Sequence, residues 1–365
     1  MNFADFLGNH ATVRRVRETL AAGRLPSAMI VSGSRGAGKY TLAVLLAQAA
    51  NCLTPVATDG LPDACGVCAN CERISASLAL DERFSEAVAA REELRDVDKK
   101  DTRILIQTHP DLLIIPPDPP QLLIKLGQVR TVIARVYHRP VQARRAFYIF
   151  TAGSFMKEAA NSLLKVLEEP PEHATLILLA ENPSELLPTI RSRAGVLRLG
   201  ALPPAEIDAL LTARRPELKS AQRTLVGRLA EGAAGRALGF DLPAYLASRQ
   251  DALTILRTSL AEPDYSALFR TTETYRAGAE GAEKTSAMLH ALNLLLEDLL
   301  LIHSGVPGLI RNTDLTAELA RMAQNITPAW LEAASRGVDQ VEAGMRRNLL
   351  RSVSLDAFAT SLPLR

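Results

Sequence analysis

The stretch that decides the fold is Met29-Ile30-Val31-Ser32-Gly33-Ser34-Arg35-Gly36-Ala37-Gly38-Lys39-Tyr40, followed by Thr41-Leu42-Ala43-Val44-Leu45-Leu46-Ala47. A short apolar run, a glycine-rich turn and an Ala/Leu-rich run read as strand, loop and helix. The turn fits G-x-x-x-x-G-K, with glycines at 33, 36 and 38. Such glycines let backbone N–H groups curl round phosphate oxygens at a helix N-terminus, where a Lys neutralises the β and γ charges. The next position ordinarily supplies a Ser or Thr hydroxyl to Mg²⁺. Here it is Tyr40, which is too long, and Thr41 lies about 100° further round the helix. Gly33, Gly36, Gly38, Lys39, Tyr40 and Thr41 are therefore candidate nucleotide-binding residues of a loop whose ATP/Mg²⁺ occupancy stays open.

Working outward, Leu112-Leu113-Ile114-Ile115, Phe147-Tyr148-Ile149-Phe150 and Thr175-Leu176-Ile177-Leu178-Leu179 are further apolar runs closed by turn signals. With helical patterns between them they predict buried strands of a parallel sheet with helices on both faces. A P-loop ATPase carries an Asp, often followed by Glu, at the end of a neighbouring strand to hold Mg²⁺ and orient water. The run at 147–150 ends instead in Thr151-Ala152. Hydrolysis by this chain is expected to be absent or vestigial. After Leu202-Pro203-Pro204 strand-like runs vanish and Ala and Leu recur at helical spacing. The expected division is a nucleotide-binding-like core at 1–200, a small helical domain at 201–242 and a larger helical domain at 243–365. Within the core, residues about 77–104 form a densely charged insertion, readable as a solvated helix, a partly disordered segment or a partner-binding helix.

The 365 residues suit two or three domains, and 47% hydrophobic with 22% charged residues is ordinary globular composition. Lys plus Arg (42) against Asp plus Glu (40) leaves a charge of only +2. That excludes coating nucleic acid by bulk positive charge. The start, with Asp5 and no basic segment before an apolar core, does not read as a secretory signal. No apolar run reaches the roughly 18 residues of a membrane span. A cytoplasmic location is expected, where thiols stay reduced.

Cys52, Cys65, Cys68 and Cys71 are all the cysteines of the chain. C-x-x-C-x-x-C sets three thiols on one knuckle, and a fourth from the preceding helix can close a tetrahedral Cys₄ site for structural Zn²⁺. Disulfides and catalytic thiols are the weaker alternatives, the first because the compartment is reducing, the second because no histidine constellation lies near. Such a site, at about 50–75, would hold together a knob too small to build its own core.

Taken together these features resemble the bacterial DNA polymerase III clamp-loader subunits over most of residues 1–240. The resemblance rests on Phe6-Leu7-Gly8-Asn9, Ala22-Gly23-Arg24-Leu25-Pro26-Ser27-Ala28, the P-loop, the four cysteines, His109-Pro110-Asp111, Ala160-Asn161-Ser162-Leu163-Leu164-Lys165-Val166-Leu167-Glu168-Glu169-Pro170-Pro171 and Thr189-Ile190-Arg191-Ser192-Arg193. It implies an AAA+ core bearing the zinc module, a lid at 201–242 and a C-terminal collar that joins other subunits. Tyr40 and Thr151-Ala152 favour the delta-prime subunit over the gamma/tau ATPases. The resemblance further implies that Arg193, in Ser192-Arg193-Ala194, is an arginine finger for ATP bound by a neighbouring subunit. Arg236 matches a lid residue that senses nucleotide, or is simply a helix-start charge. The implied partners are the gamma/tau and delta subunits, the sliding clamp and, through the assembled complex, primer-template DNA. The competing readings are a gamma/tau-like ATPase and a zinc-dependent DNA-binding factor with a relic P-loop. Aromatic residues at 4% give the latter little to stack bases on.

Overall fold

The computed structural model describes residues 1–260, 265–276, 279–347 and 349–362. Parts of the expected 243–365 domain thus lie outside the described residues. The chain forms two compact units, Met1–Ile207 with Gly232–Arg236, and Asp208–Glu231 with Ala237–Arg365.

The first unit is built on a six-stranded sheet. Its strands are β1 (Ala28–Ser32), β4 (Ile106–His109), β5 (Leu112–Ile115), β6 (Ala146–Phe150), β7 (Ala174–Ala180) and β8 (Gly195–Arg198), while β2 (Val56–Thr58) and β3 (Leu61–Asp63) make a separate hairpin. The order across the sheet is β4-β5-β6-β7-β1-β8. All neighbours are parallel except β4, which runs antiparallel to β5. The four apolar runs are thus the inner strands, and every residue of β1, β5, β6 and β7 is buried. Parallel strands joined by helical crossovers are covered on both faces, which is why these runs are continuously apolar and not alternating. Two cores result. Met29, Val31, Phe147 and Ile149 point into one with the helix Lys39–Asn51. Ala28, Ile30, Tyr148 and Phe150 point into the other with the helices Leu126–Val136 and Lys157–Glu168. Each fully buried aliphatic side chain contributes roughly 1.5–3 kcal/mol relative to exposure.

His109-Pro110-Asp111 is a structural clamp at the β4–β5 turn. The Asp111 carboxylate, only 8% exposed, accepts N–H bonds from Val141 (2.7 Å), Gln142 (2.8 Å) and Ala143 (2.7 Å), closing the loop that leads into β6. His109 Nδ1 accepts the Asp111 N–H, and its Nε2 lies 3.2 Å from Asn70 Oδ1. Burial holds the imidazole below its usual pKa, against the opposing pull of Asp111. The charged insertion is helical over Leu80–Glu92 and Asp96–Asp101. The first helix buries no residue fully but is pinned through Arg91 Nη1, 2.5 Å from the buried Asp118 Oδ1.

The second unit is all-helical. Its longest helix, Ala279–His303, corrects the expectation about membrane-length runs: Gly281–His303 is long and apolar enough to cross one by length and composition. Glu283, Lys284, Glu297 and Asp298 interrupt the sequence and conceal this. The helix packs within the unit against Leu242–Leu260, Thr316–Ala323 and Pro328–Arg346. Its buried Asp298 accepts N–H bonds from Arg311 (2.7 Å) and from the Asn312 backbone and side chain (both 2.8 Å). Asn312 Oδ1 in turn accepts from Tyr245 and Arg249. Every charge in this network has a partner, as burial requires.

Replacing Asp111 by Ala strands three N–H groups. The expected loss is about 3 kcal/mol of stability, seen as a lower thermal midpoint by circular dichroism. Asp111→Asn should lose less, because it keeps an acceptor.

Candidate nucleotide loop, cysteine cluster and exposed arginine

The P-loop leaves the C-terminal end of β1 and opens the helix Lys39–Asn51, in the strand-to-helix setting the motif needs. Gly36 (φ 81°) and Gly38 (φ 88°) are in the left-handed region. A side chain at Gly36 would also meet fixed backbone, and one at Gly38 would crowd a neighbouring ring. A Cβ at Gly36 would stand 2.5 Å from the Arg236 backbone N, and one at Gly38 3.1 Å from the Phe6 ring. The Gly235 N–H donates to Gly36 O at 2.8 Å. The segment Gly232–Arg236 therefore lies against the loop, which brings the Arg236 backbone beside it.

Lys39 Nζ donates to its own loop, to Gly33 O at 2.6 Å and Ser34 O at 2.9 Å. Burial lowers its pKa, while Glu181 and Glu185 act in the opposite direction. The Tyr40 side chain packs on the core, and its hydroxyl donates to Ser77 O at 2.7 Å. Burial pushes its pKa up to about 12. Thr41 follows in the first turn of the helix. After β6 come Thr151 and Ala152, with the Thr151 N–H engaged by Ile115 O.

The four cysteines converge. Their sulfur atoms all lie within 4.8 Å of one another, with Cys52–Cys68 and Cys65–Cys71 each at 3.9 Å. Four thiolates about 2.3 Å from one metal sit roughly 3.8 Å apart in a tetrahedron, so the cluster fits a metal ion. Cys52 caps the helix Lys39–Asn51, and Cys68 precedes the helix Ala69–Ser75 that carries Cys71. The Cys65 N–H points at Cys52 Sγ (3.3 Å) and the Leu53 N–H at Cys68 Sγ (3.4 Å), contacts that favour sulfur carrying negative charge. A hydrogen bond from Thr54 leads the contacts that bring the Cys65 thiol down to about 6, while burial pushes Cys52 and Cys71 up. The β2–β3 hairpin between Cys52 and Cys65 is held by Arg17, which donates to the Thr58, Leu61 and Pro62 carbonyls. Sequence reading did not find this arginine, because nothing local marks it.

Arg193 stands apart from both sites, between the short helix Pro188–Arg191 and β8. Its side chain is 34% exposed. Nη1 donates to Thr189 O (2.9 Å) and Ser192 Oγ (3.2 Å), and Nη2 to Glu168 Oε1 (2.8 Å).

A parallel-sheet P-loop core with a four-cysteine insert, followed by helices, defines a class of nucleotide-loop protein, and comparison with known proteins narrows it. Residues 8–203, more than half of the chain, match the family model described as DNA polymerase III, delta subunit, and the chain belongs to that family. It is 32% identical to DNA polymerase III subunit gamma/tau of Mycobacterium tuberculosis over 58% of its own residues, but spans only 30% of that relative's length. It is 29% identical to the delta' subunit of Escherichia coli, over 67% of this chain and 72% of that one. Among solved structures, a gamma subunit-related protein of Thermotoga maritima is 17% identical with a TM-score of 0.41, covering 95% of this chain and 97% of that one.

Metal analysis of chain purified without chelator should find about one soft divalent ion per molecule. Cys68→Ser should lower that content and the thermal midpoint together. A chain that is metal-free yet fully stable would refute the cluster as a metal site.

Proposed function

We propose that this chain is a delta-prime-like subunit of a DNA polymerase III clamp loader. In this reading it does not hydrolyse ATP itself and lends Arg193 to ATP held by an adjacent motor subunit. The observation that carries the reading is Tyr40: the position that should offer Mg²⁺ a hydroxyl sends its phenol to the Ser77 carbonyl. Thr151-Ala152 at the end of β6 adds no carboxylate for the metal. Lys39 bonded to its own loop, with Glu181 and Glu185 nearby, gives an incoming triphosphate a poor reception. The exposed Arg193 remains available to a neighbour. In motors of this kind an arginine offered in trans stabilises the charge that develops on the γ-phosphate, worth roughly 10³–10⁵ in rate.

The domain roles follow the same reading. The core at 1–200 carries the finger, 201–242 acts as a lid and 243–365 joins the collar shared with gamma/tau and delta. The sliding clamp and primer-template DNA are met through the assembled complex in the cytoplasm. Zn²⁺ is the ion assigned to Cys52, Cys65, Cys68 and Cys71, since four thiolates in a closed set leave no open position for catalysis. Its part is to hold the knob's shape.

Two measurements test this. The purified chain should show no steady-state ATP hydrolysis above background, and turnover abolished by Lys39→Ala would instead make it a gamma/tau-like motor. In a reconstituted loader, Arg193→Ala should reduce DNA-stimulated ATP turnover by at least about 10³-fold at the site it completes. Unchanged turnover would remove the finger.

A further inference from the structure

We propose that Glu168 is a positioning residue for Arg193: its carboxylate holds the guanidinium in the orientation from which a neighbour's phosphate is met. This rests on the reading of Arg193 as a finger given above. Glu168 ends the helix Lys157–Glu168, which Pro170 and Pro171 keep from continuing. A carboxylate in the last turn of a helix faces the negative end of the helix dipole, so this is a place where Glu gains nothing from the helix itself. What it has is Arg193 Nη2 at 2.8 Å. The two residues are 25 positions apart and belong to different elements, so the pairing is tertiary.

The geometry leaves the arginine both fixed and usable. A guanidinium has five N–H donors in a planar fork. Thr189 O, Ser192 Oγ and Glu168 Oε1 take three of them. Nη1 is held from its own helix turn and Nη2 from across the fold, so the plane of the fork is set at two points. Two N–H groups stay free to meet phosphate oxygens without breaking the set. An arginine side chain otherwise loses substantial rotamer freedom when it is immobilised, and a partner that fixes it beforehand removes that cost from the transition state. Because the benefit is orientation at the moment charge develops, it should appear in kcat, with KM for ATP unchanged. Glu168 touches no phosphate in this scheme and acts only through Arg193.

The experiment uses the full chain in a loader reconstituted with its own motor and delta subunits, measuring kcat and KM for DNA-stimulated ATP hydrolysis. The variants are Arg193→Ala, Glu168→Ala, Glu168→Gln and the double Arg193→Ala/Glu168→Ala. Glu168→Ala should lower kcat by roughly three- to tenfold at constant KM. Glu168→Gln, whose amide oxygen can still accept from Nη2, should restore most of it. On the Arg193→Ala background Glu168→Ala should add nothing, since two residues acting as one unit are not additive. If Arg193→Ala is damaging but Glu168→Ala is silent, additive with it, or faster than wild type, the positioning role is overturned and the finger stands. If Arg193→Ala is itself silent, the finger is overturned and the positioning role with it. Both side chains lie at the surface, so equal thermal midpoints for the variants and wild type are expected, and a kcat loss that merely tracks a lowered midpoint would also overturn the proposal.

Discussion

The burial of β1 on both faces and along both edges is the constraint from which the loop region follows. Met29 and Val31 enter one core, Ala28 and Ile30 the other, while β7 and β8 bond its two sides. A one-residue slip would exchange the two sets of side chains and break both ladders, so the register of β1 is fixed. The end of β1 then fixes where the chain must turn. From that turn the helix Lys39–Asn51 drives Leu42 to Ala50 into the core. Between strand and helix the backbone passes close to the Phe6 ring at Gly38 and to the Arg236 backbone at Gly36. The left-handed φ at both positions, and the close backbone at Gly36, favour glycine even where no phosphate is bound. That separates the loop's shape from its chemistry: Gly36 and Gly38 serve the backbone path whatever residue follows Lys39.

The inner sheet was legible in the sequence because doubly buried parallel strands must be apolar at every position. The edges were not. β8 runs Gly195-Val196-Leu197-Arg198 with mostly exposed side chains, and β4 mixes Ile106 with Gln107 and Thr108. An edge strand needs only one bonded neighbour and one covered face, so its composition resembles a loop. The cysteine cluster was legible because ligand spacing is local, and C-x-x-C-x-x-C brings three sulfurs together almost by itself. The supports of that cluster were hidden, since Arg17 reaches three carbonyls some 40 residues away through contacts that leave no periodic mark. Likewise His109-Pro110-Asp111 could be quoted as a motif, but its work of gathering three N–H groups from residues 141–143 exists only in three dimensions.

The charged insertion illustrates how a segment without a core still acquires a place. The helix Leu80–Glu92 buries none of its residues fully, and its apolar contact with the core is limited to the partly buried Leu80 and Phe84. The anchor at its far end is electrostatic: Arg91 meets the almost fully buried Asp118, with Lys125 Nζ at 3.6 Å from the same oxygen. Removing a partner from a buried carboxylate costs far more than losing an exposed ion pair. One arginine thus fixes one end of a segment whose other charges pair only at the surface.

Loop and arginine are held by different physics, and this decides which of them tolerates change. A residue kept for packing can be replaced by anything that fills the same space and satisfies its polar atoms. Tyr40 does so, with its ring on the core and its hydroxyl on Ser77. On the proposed reading of Arg193 no other residue offers equal geometry, because a planar fork of N–H donors is peculiar to arginine and a lysine offers only a point charge. Three donors of Arg193 are already engaged within the chain, which restricts its motion and leaves the outward part of the fork exposed. In an exposed position a long charged side chain otherwise moves freely, and these three bonds are what restrain this one.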